Sequence, residues 1–259
     1  MDKINVHELV VRSSIQLLLA DKDIPKPAEF GSGCILRYLD RHFLFTVSHL
    51  IVSNELVLFL ETNLPADPVS GTPLQPIGGV ITFKKFKIRK NTHLDNFEEL
   101  AENGDPVDIA FAEIKQPITL LQPEIDFVAF KVEASNKVSL YLEDAVQPRR
   151  SQSYAFFGKI KAHYIDNQDG RLDYLSLTHA FKHSLKYNGK KDGFYEFLTP
   201  EIITDEADYQ GCSGAPIIDS SGRIVALVCA VFVPSRLIQG IPISVCKQFL
   251  ETAIKTKML

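Results

Sequence analysis

Apolar and polar residues alternate along most of this chain in short runs that end at turn residues, the period-2 signature of half-buried strands. The alternation predicts strands over 14–20, 33–38, 42–48, 55–61, 80–88, 107–114, 127–132, 153–160, 172–177, 193–198, 215–218 and 224–232. Asp40-Arg41, Asn188-Gly189, Asp192-Gly193 and Ser221-Gly222 carry the residue types that tight hairpin turns require. Two segments depart from the pattern. Residues 6–19 begin with apolar positions three and four apart, which predicts a short helix at the start. Residues 242–255 predict a helix with Ser244 as its N-cap. Val245, Phe249 and Ala253 share one face of it, with Leu250 and Ile254 alongside. About a dozen strands with so few helices describe an all-β protein, either two barrels or a large sandwich. Polar, turn-rich stretches at 133–137 and 147–150 place a boundary between a first domain, 1–135, and a second, 136–259.

Composition narrows the class. The chain has 259 residues, enough for a sizeable core without covalent staples. It has 28 Lys+Arg against 32 Asp+Glu, a net charge of −4, which argues against a general nucleic-acid binder. The basic run Lys84–Lys90 reads as a solvated strand face. No apolar stretch approaches the roughly 18 residues of a membrane-spanning helix, and the first residues lack the pattern of a secretory signal. The expectation is a cytoplasmic protein that engages neither membrane nor nucleic acid. Cys34, Cys212, Cys229 and Cys246 are widely spaced, so they read as free thiols rather than a zinc site. His179 and His183 stand four apart but lack the accompanying carboxylate of a zinc-protease helix, and no metal is expected.

Candidate chemistry sits in three segments. In Tyr209-Gln210-Gly211-Cys212-Ser213-Gly214-Ala215-Pro216 a serine lies between glycines directly before an apolar strand. Glycines let the backbone turn tightly and let a substrate carbonyl approach main-chain N–H groups, here those of Gly211 and Ser213, as an oxyanion hole. In Phe43-Leu44-Phe45-Thr46-Val47-Ser48-His49 a histidine ends an apolar strand. In Asp105-Pro106-Val107-Asp108-Ile109-Ala110 an aspartate opens one, where a buried carboxylate needs a partner. Each of the last two alone would more often be structural. Together the three give the chain order His49, Asp108, Ser213, the order of the chymotrypsin arrangement.

On these motifs, with the Gly31-Ser32-Gly33 entry and Gly240-Ile241-Pro242-Ile243 before the terminal helix, the chain resembles the trypsin-like (chymotrypsin-fold) serine peptidases. The likeness is to the non-secreted bacterial type and extends over roughly residues 12–250. The resemblance implies two six-stranded β-barrels, with His49 and Asp108 from the first and Ser213 from the second. It implies a site in the cleft between them, a protein or peptide substrate, and no metal or organic cofactor. It further implies substrate-binding roles for Ala207, Asp208 and Gln210 before the nucleophile, and for Cys229, Ala230 and Val231 on the segment that pairs with substrate. Asp208 beside the pocket base would favour Lys or Arg at the cleavage site; a solvated acidic loop is the rival account of the same residues. Cys229 stands where relatives often place a serine that supports the aspartate.

Departures from the family pattern carry their own expectations. Cys212 replaces the aspartate that pairs with a freed N-terminus in members matured by cutting, so the zymogen route is closed. Leu50 replaces the partner of Cys34 in the disulfide of secreted members. Cys212 is also a rival nucleophile, since viral relatives use cysteine. The nucleophile there immediately precedes the glycine, and that residue here is Ser213. The leading expectation is a serine endopeptidase held in check by a regulatory protein partner or signal acting on Gln210–Ser213. The alternative is a non-catalytic peptide-binding module on the same fold.

Overall fold

The computed structural model describes residues 5–21, 27–51, 56–63, 74–85, 105–116, 118–165 and 174–259. Helix α1 (Val6–Ser13) leads into β1 (Ile15–Asp21), β2 (Pro27–Tyr38), β3 (Arg41–Thr46), β4 (Leu56–Glu61), β5 (Leu74–Pro76), β6 (Ile81–Lys85) and β7 (Asp105–Glu113). Short strands β8 (Leu121–Gln122), β9 (Ile125–Phe127), β10 (Phe130–Val132), β11 (Ser135–Asn136) and β12 (Leu140–Tyr141) follow. The chain continues through β13 (Tyr154–Ile165), β14 (Tyr174–Lys191), β15 (Phe194–Ile203), β16 (Pro216–Asp219), β17 (Ile224–Val231) and β18 (Ser235–Pro242) into helix α2 (Ile243–Lys255).

The strands form two main units, with β8–β11 and β9–β10 as separate two-stranded pairs. Strands β13-β14-β15-β18-β17-β16 hydrogen-bond into a closed six-stranded barrel. Among the described residues, the earlier strands form an eight-stranded sheet in the order β5-β4-β1-β2-β3-β7-β6, with β12 added in parallel to β2, and its hydrogen bonds do not close into a ring. Phe156, Leu185, Phe197, Ala226, Val228 and Ile238 fill the closed barrel. A second core, built on Phe43, Phe45 and Phe111 of the first unit, continues through Ile218, Ile224 and Leu227 of the barrel wall to Leu250 of α2. This continuity explains why Ile224–Val228 is an unbroken apolar run. Its successive residues are all buried, because one side of β17 faces the barrel core and the other faces the first unit and α2.

The two helices fasten the units crosswise. Asn5 caps α1 by accepting from the His7 N–H at 3.0 Å, and α1 packs on β13 and β16 of the barrel. Helix α2 reaches back to the first sheet, where Phe249 meets Phe83 at 4.7 Å between ring centroids and the Tyr38 hydroxyl donates to Glu251 at 2.7 Å.

Several local expectations are corrected. The helix at the start ends at Ser13, because the next residues pair with both β2 and β4. Residues 127–132 are not one strand but the hairpin β9–β10, with Val128 fully exposed at its turn. The turn expected at Asp40-Arg41 is Leu39-Asp40: both residues have positive φ, and Tyr38 pairs with Arg41 across them. Asn188-Gly189 is a bulge inside β14 rather than a turn, since Tyr187 pairs with Phe197 and Gly189 with Glu196. Strand β18 went unpredicted because Pro234, Gly240 and Pro242 disguise it. Ser244 does not cap α2. Strand β18 runs directly into the helix at Pro242, and the buried face is Ile243, Cys246, Leu250 and Ala253, with Val245 and Phe249 on its flanks. His179 and His183 lie on a strand, and among the described residues no group of side chains is arranged to hold a metal. Of the basic run, only Lys84 and Lys85 fall within the described residues.

Candidate active site

His49 lies in a single 3-10 turn, Ser48–Ile51, directly after β3, and Asp108 lies in β7, which pairs with β3. Strand pairing therefore brings the two together. The His49 Nδ1 atom is 2.9 Å from Asp108 Oδ2 and 3.0 Å from Oδ1, and the His49 backbone N–H donates to Oδ1 at 2.9 Å. The Ser48 hydroxyl donates to Oδ1 at 3.2 Å, and the Cys229 thiol, from β17 of the barrel, donates to Oδ2 at 3.0 Å. Burial pushes the Asp108 carboxyl up, but the hydrogen bonds from His49 and Cys229 outweigh it and hold the group down at about 2. An ionised carboxylate only accepts, so Nδ1 donates to Asp108, and in the neutral imidazole Nε2 is the nitrogen that can accept a proton.

Ser213 enters from the barrel. The segment before it turns at Tyr209–Cys212, where the Cys212 N–H donates to the Tyr209 carbonyl at 2.9 Å and Gly211 sits at φ +99°. A positive φ at the third position marks a type II turn and calls for glycine. A Cβ at Gly211 would also collide with the Lys159 carbonyl and the Phe30 ring. Among the described residues, neither the Gly211 N–H nor the Ser213 N–H has an acceptor, and the Ser213 hydroxyl has no hydrogen-bond partner, His49 included. Cys212 is fully buried against Gly158, and burial pushes its thiol up to about 12.

These groups meet at a cavity of about 450 Å³ whose walls include His49, Gly211 and Ser213. Of the residues expected to bind substrate, Gln210, Cys229, Ala230 and Val231 line it. Ala207 and Asp208 do not border it. Asp208 turns instead to Lys161, 2.6 Å away, because Lys161 stands on the adjacent β13. The acidic groups on the cavity wall are Glu29 and Glu206, neither of which makes an ion pair among the described residues. Neither was singled out by the sequence pattern, since each is one exposed carboxylate in no motif. The four cysteines are all free thiols, as the spacing and Leu50 implied.

No protein-family model and no curated protein sequence matches this chain. Solved structures do. A serine endoprotease from Yersinia pestis superposes with a TM-score of 0.54 at 13% identity, covering 98% of this chain and 68% of its own. The HtrA-type protease AlgW, solved with a tripeptide, superposes with a TM-score of 0.50 at 13% identity, covering 96% of this chain and 62% of its own. The MamO protease domain from Magnetospirillum magneticum gives a TM-score of 0.47 at 12% identity, covering 93% of this chain and 97% of its own. The chain thus has the fold of the trypsin-like serine proteases. No helix among the described residues is long and apolar enough to cross a membrane.

Proposed function

We propose that this chain is a serine endopeptidase that cleaves protein or peptide substrates, with Ser213 as nucleophile, His49 as general base and acid, and Asp108 as the group that orients His49. One observation carries the reading: an imidazole anchored by an ionised aspartate shares a cavity with a serine and with two N–H donors, those of Gly211 and Ser213, that have no acceptor among the described residues.

In this mechanism His49 Nε2 takes the Ser213 hydroxyl proton as Oγ attacks the substrate carbonyl carbon. The carbonyl oxygen becomes an oxyanion and receives the N–H groups of Gly211 and Ser213, which have no other acceptor among the described residues. Asp108 stabilises the imidazolium. His49 then protonates the amine as the C–N bond breaks, leaving an acyl group on Ser213. Water, deprotonated by the same imidazole, releases the acid. Cys212 is sealed in the core with a protonated thiol and takes no part. Substrate backbone would lie along Cys229–Val231 at the cavity wall, adding a strand.

A peptide-binding module would gain nothing from two unclaimed donors beside an anchored imidazole. Control by a partner protein or signal belongs to this proposal, as does a cytoplasmic setting. Such control would act on the Gln210–Ser213 segment, which has to present the Gly211 and Ser213 N–H groups to the cavity. The test is hydrolysis of a quenched-fluorescent unfolded protein. Turnover lost in Ser213→Ala and kept in Cys212→Ala supports the reading; turnover untouched by Ser213→Ala ends it.

A further inference from the structure

Ser32 is 1% exposed on β2, in the first unit, yet its polar groups are directed at the nucleophile loop of the barrel. Its hydroxyl donates to the Gly211 carbonyl at 2.7 Å. Its N–H donates to the Ser213 carbonyl at 2.8 Å. Its carbonyl accepts from the Thr46 hydroxyl at 2.7 Å and lies so close to Gly214 that any Cβ there would clash.

Following each peptide group of the loop shows what this does. The Gly211–Cys212 peptide is held at both ends, its carbonyl by the Ser32 hydroxyl and its N–H by Tyr209. The Ser213–Gly214 peptide is also held at both ends, its carbonyl by the Ser32 N–H and its N–H by the Val228 carbonyl at 2.8 Å. In the Cys212–Ser213 peptide the carbonyl takes the Ala215 N–H at 2.9 Å, and trans geometry sends the Ser213 N–H the opposite way. Among the described residues, the Gln210–Gly211 peptide is held at neither end. Its direction is therefore set by its neighbour, and of the two bonds that fix that neighbour, the one from outside the loop is the Ser32 hydroxyl. Type I and type II turns differ by a flip of this same central peptide.

We propose that Ser32 is a positioning residue: its hydroxyl holds the Gly211 carbonyl so that the Gly211 N–H stays toward the cavity, which makes completion of the donor pair depend on the joint between the two units. The functional consequence rests on the protease reading above; the structural claim does not. Without the hydroxyl, the buried Gly211 carbonyl seeks another donor, the Gln210–Gly211 peptide turns over, and one donor is withdrawn.

The experiment compares wild type with Ser32→Ala and, as a control for loss of a buried hydroxyl away from the loop, Ser13→Ala. A fluorophosphonate probe gives the limiting rate of labelling and the concentration for half-maximal labelling. Crystal structures of wild type and Ser32→Ala give the direction of the Gln210–Gly211 peptide. The expected result is a limiting rate about 10- to 100-fold lower in Ser32→Ala, toward the loss seen when an oxyanion donor is removed. The half-maximal concentration should stay within about twofold, the peptide should be flipped, and Ser13→Ala should label at the wild-type rate. An unflipped peptide, or a limiting rate that follows the melting temperature equally in both variants, overturns the proposal. If wild type itself does not label, the protease reading fails, and the peptide direction in Ser32→Ala alone decides this one.

Discussion

The Cys229 thiol donates to Asp108 Oδ2 at 3.0 Å, so a residue of the barrel completes the carboxylate that the first sheet presents to His49. Burial, then the hydrogen bond and negative charge of Asp108, push this thiol far above its ordinary value. Cys229→Ser should retain activity, because a hydroxyl donates in the same place. Cys229→Ala should lower the rate several-fold, since a hydrogen bond to a charged group contributes about 1.5–3 kcal/mol and only part of that acts through His49. The half-buried thiol should resist iodoacetamide at pH 8, and Asp108→Asn should make it react about tenfold faster, because the charge's part of the upward push is removed while burial remains. Equal alkylation rates in the two proteins would contradict the described hydrogen bond.

Asp108→Asn should cost about 10⁴ in turnover, because an amide no longer fixes the imidazole tautomer. It should also change the acid limb of stability. The carboxyl is held at about 2 against 3.8 for an ordinary aspartate. Its contribution is therefore complete above about pH 4 and is lost as the pH falls toward 2. Thermal melts from pH 5 to 2 should fall more steeply for wild type than for Asp108→Asn.

Asp208 is already paired with Lys161, whereas Glu206, on the cavity wall, makes no ion pair among the described residues. Asp208→Ala should therefore leave cleavage preference unchanged. Replacing Lys by Gln in a peptide substrate should lower kcat/KM for wild type and Asp208→Ala alike, by about two- to fivefold, as expected for a solvent-screened charge pair. That penalty should shrink in Glu206→Gln. A penalty abolished by Asp208→Ala instead would return the selectivity to the residue that the sequence suggested.

Lys137 joins α1 to the connection between the two units. Its ammonium donates to the Val11 carbonyl at 3.0 Å and to Gln122 Oε1 at 2.6 Å, beneath the Phe157 ring. Burial, with Lys159 and Arg12 nearby and Glu61 opposing them, pulls it down to about 7. The unfolded chain then binds more protons than the folded one between about pH 7 and 10, so stability rises with pH across that window. Wild type should gain melting temperature from pH 7 to 9.5 relative to Lys137→Met. Parallel curves would show that the ammonium is solvated.

The fold was legible where one face of a strand is wet. β15 alternates cleanly over Phe194–Thr199 and begins close to where its pattern put it, whereas β3 is buried on both faces from Phe43 to Thr46. β1 and β17 are buried on both faces, so alternation marks them poorly and only their β-branched and leucine runs do. β18 was hidden by its prolines and glycine. The site was legible where chemistry needs a rare neighbourhood: His49 after an apolar strand, Asp108 at the start of another, and Ser213 among glycines. What distance in sequence hid was the set of contacts that cross the two units. Ser32 was visible only as part of a glycine motif, and its bond to Gly211 spans 179 residues. Asp208 and Glu206 are two residues apart in one short turn, so spacing alone could not tell which faces the cavity.

The central claim is that Ser213 is a nucleophile activated by His49. Fluorophosphonate labelling of wild type, Ser213→Ala, His49→Ala and Cys212→Ala, with the modified residue located by peptide mass spectrometry, tests it directly. The account predicts a phosphonyl adduct on Ser213 in wild type and Cys212→Ala, and none in Ser213→Ala or His49→Ala. An adduct on another residue, or a folded wild-type protein that takes up no probe, would contradict it.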